Sequence, residues 1–501
     1  MMIRTKKNHK DFAEGPKHTG LSRRELLANG LMTGGMSLLL PKLLVADLMR
    51  SAMAQSAACP SPVKAAGGIF SLFANGGPTM GARFLTDSQA AVMNTNMAAN
   101  YGIVGTSLVK LGPNVWVDPT SPFGAAVLAG PPGFAGGAAG WQTNVLNKLS
   151  GGAHMGPFNQ DDGAGQNLGN WAGVGSFKPN TIGKDLAIGT STTVAKFASG
   201  FNRANIRSAS ATNLATSFSL TPAATGLTNS NALGLAATGA NNLATALGPT
   251  FNLAARKGAS QLATTAGCGF FGNTALANPN YGLSLFTAAQ IPAITNMFSA
   301  TALATLSTAE LAVLAAANRS ADGTAGALMM EMGGEDYHGN SPTSIAATDF
   351  QDGRMFTMAL AGTVAAAAKG AFILTANGQA IASGTQNVTV TSGGTAANAT
   401  ANQTLNVSAP VATGDAGGSY NVGYILFYDP NGAPPAARVT GTLNSTNGNV
   451  QVASTISSTA NAVAGLYGSA LAWVSGGTVP AGFVNAVTAG GVANLSTLMV
   501  I

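Results

Sequence analysis

The segment 307–378 admits few folds. Ser307-Thr308-Ala309-Glu310 is a capping box, in which the serine side chain and the glutamate carboxylate each take a backbone amide that the first helical turn leaves unpaired. It predicts a helix running to about Arg319, ended by Ser320-Ala321-Asp322-Gly323. The apolar run 325–332 predicts a strand stopped by Gly333-Gly334, and the loop after it reads Glu335-Asp336-Tyr337-His338-Gly339-Asn340. A second helix fits 349–369, with Asp349 and Asp352 in its first turn, Lys369 in its last and Gly370 just past its end, as the helix dipole and the C-terminal glycine rule favour. Residues 371–376 then read as a buried strand. Strand, loop, helix and strand in this order form a βαβ unit, which makes parallel strands through a right-handed crossover.

The rest of the chain can be placed around that unit. Residues 69–74 and 421–428 read as further buried strands, the first ending in Asn75-Gly76-Gly77-Pro78-Thr79, and 459–474 fits a late helix. From 120 to 180 the chain is rich in Gly and Pro, which predicts loops and short elements around His154 and Asp161-Asp162. Residues 205–305 are a low-complexity Ala/Thr/Asn/Leu tract, expected to be a helical insertion, and 380–415 alternates Val, Leu and Thr with polar residues, expected to be a small β-rich excursion. The expected architecture is α/β, a mainly parallel central sheet flanked by helices in a single domain over 55–501.

Charge is scarce and unevenly placed. Only 8% of the residues are charged, and the formal net charge of +6 invites a nucleic-acid or membrane-surface reading. Residues 1–54 alone carry nine basic and four acidic groups, however, which leaves the remaining chain at +1. The basic groups of that remainder are scattered singly apart from Arg256-Lys257, so nucleic acid is not an expected partner. Within 1–54, Ser22-Arg23-Arg24-Glu25-Leu26-Leu27 is a twin-arginine core, followed by a Gly-interrupted apolar run and by Ala52-Met53-Ala54, a small-residue cleavage signal. The order predicts export by the twin-arginine route, whose machinery is the expected partner, with cleavage after Ala54 and a periplasmic or extracellular destination. The apolar run falls short of the ~20 residues of a spanning helix, so no stable membrane span is expected after cleavage. In an oxidising compartment Cys59 and Cys268 form one disulfide or remain apart; Cys268, in Cys-Gly-Phe-Phe, also reads as a small buried hydrophobe.

Ligands of parallel α/β sheets bind beyond the carboxyl ends of the strands, which directs attention to the loops after 69–74, 325–332 and 371–376 and to the region of Asp415. Asp336 and His338 stand two apart in an extended loop, where a carboxylate and an imidazole can turn to one metal ion; a surface Asp beside a hydrogen-bonded His is the plainer reading. Beyond residue 54 the only histidines are His154 and His338, so a three-His site is arithmetically excluded.

The twin-arginine signal, the strand ending in Asn-Gly-Gly-Pro and the segment Gly-Gly-Glu-Asp-Tyr-His-Gly-Asn at 333–340 together resemble an exported bacterial family of uncharacterised proteins with a sulfatase-like core, in the alkaline phosphatase superfamily. The resemblance implies an alkaline-phosphatase-like fold and, in active relatives, metal-dependent ester hydrolysis with a Ser or Thr nucleophile. It assigns Asp336 and His338 as metal ligands, with Asp415 and His154 as further candidates and Thr79 as a weak candidate nucleophile. The departures are as informative. A family Glu-Phe-Gly-Arg stretch is replaced by Ala376-Asn377-Gly378-Gln379, and a family Asp-His-Gly-Gly by Asp415-Ala416-Gly417-Gly418. Such a set holds one divalent metal ion at most, so a non-catalytic or weakly active envelope or binding protein is the leading expectation. The alternatives are a metal-dependent phosphate- or sulfate-ester hydrolase and an unrelated β-rich adhesin.

Overall fold

The computed structural model describes residues 67–75, 83–92, 108–155, 174–179, 185–188, 206–209, 291–323, 325–332, 342–377, 380–392, 403–415, 422–443, 450–451, 456 and 458–501. In chain order the elements are β1 (Gly67–Asn75), α1 (Asp87–Val92), β2 (Val109–Gly112), β3 (Val115–Val117), α2 (Pro122–Ala129), α3 (Gly137–Asn144), β4 (Leu149–Met155), β5 (Asp185–Ile188) and β6 (Ile206–Ala209). There follow α4 (Pro292–Thr295), α5 (Ala300–Ala304), α6 (Thr308–Asp322), β7 (Leu328–Met332), α7 (Pro342–Ala365), β8 (Lys369–Asn377), β9 (Ala380–Ser392), β10 (Gln403–Asp415) and β11 (Val422–Tyr428). The last are β12 (Val439–Thr440), β13 (Thr442–Leu443), β14 (Val450–Gln451), α8 (Thr459–Val474), α9 (Ala481–Ala489) and α10 (Leu495–Leu498).

One sheet runs in the order β12-β4-β11-β8-β1-β7-β5-β6. All its neighbouring pairs are parallel except the two that β11 makes with β4 and β8, so β11 alone opposes the others. Alternate side chains go to opposite faces, as strand geometry requires. Phe70, Leu72, Leu328, Met330, Phe372, Leu374, Tyr424 and Leu426 pack with α2, α6 and α7. Ile69, Met329, Ala371, Ile373, Ile425 and Phe427 pack with α8, α9 and α10. Both faces are thus covered, which explains why these strands read as continuous apolar runs and is at odds with an all-β adhesin. No helix among the described residues is long and apolar enough to cross a membrane.

The capping box of α6 is present: Ser307 Oγ accepts from Glu310 N (3.2 Å) while Glu310 Oε2 accepts from Ser307 N (2.8 Å), and Gly323 closes the helix in the left-handed conformation. We expect Ser307→Ala to lower the unfolding free energy by about 1 kcal/mol; a denaturant midpoint indistinguishable from that of the unmodified protein would show that the cap is dispensable.

The crossover helix spans Pro342–Ala365 rather than 349–369, because Pro342 suits a first turn and Ala367, at φ 48°, ends the run before Lys369. Lys369 and Gly370 begin β8, and the Lys369 ammonium lies 3.8 Å from the Trp473 ring centroid. The strands that α7 joins are also not neighbours, since β1 lies between β7 and β8. Within 120–180, where the sequence predicts loops and short elements, the short helices α2 and α3 and the sheet strand β4 are found. Leu-Ser-Gly-Gly-Ala-His-Met has no β-branched residue, and its glycines answer close backbone approaches instead. A Cβ at Gly151 would sit 2.9 Å from Asn114 O, and one at Gly152 would sit 3.0 Å from Arg438 O. Similarly, the tract 205–305 is not wholly helical, as β6 forms an edge of the sheet. Residues 380–392 and 403–415 form a long antiparallel hairpin, β9–β10, against α7 and α2.

Candidate functional site at the carboxyl edge of the sheet

Three adjacent parallel strands end level with one another. Ala74 of β1 pairs with Met332 of β7, and Asn75 pairs with Asn377 of β8. The loops that begin at residues 76, 333 and 378 therefore leave the sheet from one edge, the place where open parallel sheets present ligand sites. Thr79, Asp336 and His338 belong to the first two of these loops and lie outside the described residues, as do Arg23, Arg24, Ala52, Ala54, Cys59 and Cys268.

Asp415 ends β10 and pairs in register with Ala380, the first residue of β9, three positions after β8 ends. The hairpin thereby returns Asp415 to the same end of β8 from which the chain departed. This proximity rests on backbone pairing between residues far apart in sequence, which composition alone does not show.

His154 is placed differently. It lies on β4 opposite Gly423 of β11, wholly buried, on the face covered by α8. Its Nδ1 is hydrogen-bonded to Thr440 Oγ1, and Nε2 is beside the Leu498 carbonyl. Burial pushes this imidazole down to about 4, an effect to which the Arg438 charge adds and which the Leu498 carbonyl opposes. Both nitrogens face groups of the fold. Among the described residues no three His, Cys, Asp or Glu side chains are placed to share a metal ion.

What the described residues build at this edge is an ionic clamp that sequence reasoning missed. Arg83, where the chain returns from the loop after β1, is buried; its Nη2 lies 2.6 Å from Asp352 Oδ2 and 3.6 Å from Asp349 Oδ1, with its guanidinium 5.3 Å from the Phe123 ring centroid. Burial pushes the Asp352 carboxyl up to about 6, against the pull of Arg83. No family model, curated protein or solved structure matches this chain. The clamp ties Arg83 to the crossover helix α7. Its signal in the sequence is two acids at i and i+3 inside an otherwise weakly charged helix, a pattern that first-turn dipole partners share.

A second buried ionic cluster belongs to the opposite edge. Asp185 starts β5, where its carboxylate accepts from Ala327 N (2.8 Å) and Gly175 N (3.1 Å). Lys178 Nζ donates to the Ser320 carbonyl at the end of α6, and burial lowers its ammonium to about 8 while Asp185 and Asp322 oppose the shift. Each group is held by backbone partners at the amino ends of β5 and β7, so the cluster fastens α6 to the sheet and stands apart from the ligand edge.

Proposed function

We propose that this chain is an exported protein with a divergent alkaline-phosphatase or sulfatase-like fold whose hydrolytic centre is incomplete, and that it serves a binding or envelope role. The observation that carries the reading is the order β8-β1-β7, which sends the loops bearing Thr79 and the Asp336/His338 pair, together with the hairpin bearing Asp415, from one edge. Loops leaving one edge of a parallel sheet support a ligand site there, whereas the ligand set is short. Ala416 stands where the resemblance calls for an imidazole, and 376–379 lacks both the glutamate and the arginine. Superfamily chemistry relies on metal ions and cationic groups to stabilise the charge that develops on the transferred group, and losing a nitrogen ligand and an arginine removes much of that stabilisation.

Retention of Asp336 and His338 supports the second reading, a hydrolase of phosphate or sulfate esters. Metal analysis of protein purified after export, with aryl phosphate and aryl sulfate panels on the unmodified protein and on Asp336→Ala, separates the two. The proposal expects turnover at background and no difference between the proteins. Stoichiometric metal that disappears in Asp336→Ala, with turnover lost in parallel, overturns it.

A further inference from the structure

We draw no further inference here: the strongest candidate, the wholly buried Gln89 amide on α1, holds three hydrogen bonds on Oε1, from Thr86 N (2.8 Å), Thr86 Oγ1 (3.0 Å) and Tyr424 Oη (2.8 Å), and none on Nε2, but among the described residues nothing shows what group would meet that donor.

Discussion

Replacing Arg354 with methionine is expected to lower the unfolding free energy by about 3–5 kcal/mol, because it leaves a carboxylate buried without its cation. Arg354 on α7 reaches Glu310 on α6 through Nε (2.7 Å) and Nη2 (2.6 Å), both to Oε1, and both side chains are buried. Glu310 is also the acidic member of the α6 capping box, using Oε2 for the Ser307 amide. One carboxylate thus closes a helix end and joins two helices. Glutamine at 310 retains an oxygen for the cap, so Glu310→Gln combined with Arg354→Met removes both charges and should recover most of the loss. Urea titrations of the single and double variants measure the coupling; if the double variant is no more stable than Arg354→Met alone, the buried-charge account fails.

Phe356→Ala should be comparably damaging, about 3–5 kcal/mol, whereas Phe356→Leu should stay below about 1.5 kcal/mol. Phe356 of α7 is wholly buried, with its ring centroid 5.2 Å from Phe84, 6.4 Å from Phe123 and 5.5 Å from Phe372, and Phe372 stacks on Phe70 at 4.6 Å. The truncation would open a void shared by the chain before α1, by α2, by α7 and by the two central strands β1 and β8. These elements are rigid on both sides, so the site has little freedom to collapse. Thermal and urea unfolding of both variants provides the check, and a loss under about 1 kcal/mol in Phe356→Ala would show that the cluster closes over the gap.

The elements legible in the sequence were those whose local signals agree. Ser307 and Glu310 marked the start of α6, and the small and apolar residues of 459–474 marked α8 at both ends. The strands β1, β7, β8 and β11 were visible because burial on both faces leaves an unbroken apolar run. What escaped notice depends on partners distant in sequence. Gly151 and Gly152 look like a loop until Asn114 and Arg438 are seen against them, and Asp352 looks like a dipole partner until Arg83 returns from the loop after β1. The same holds for the candidate site. Asp336 and His338 were noticed from residue type, and Asp415 from its motif, but that Asp415 returns to the end of β8 depends on the β9–β10 register.

The insertion of β1 between β7 and β8 also sets a schedule. Ser71 pairs with Met329 on one side and Ile373 on the other, so the central strand waits for partners made about 250 to 300 residues later. β1 cannot pair with β7 before residues 328–332 have left the ribosome, nor with β8 before residues 369–377 have, and until the first of these the apolar stretch of β1 is a free edge open to mispairing. For the proposed export route, which carries chains already folded, residues 328–332 must be made before the central strand gains its first parallel partner.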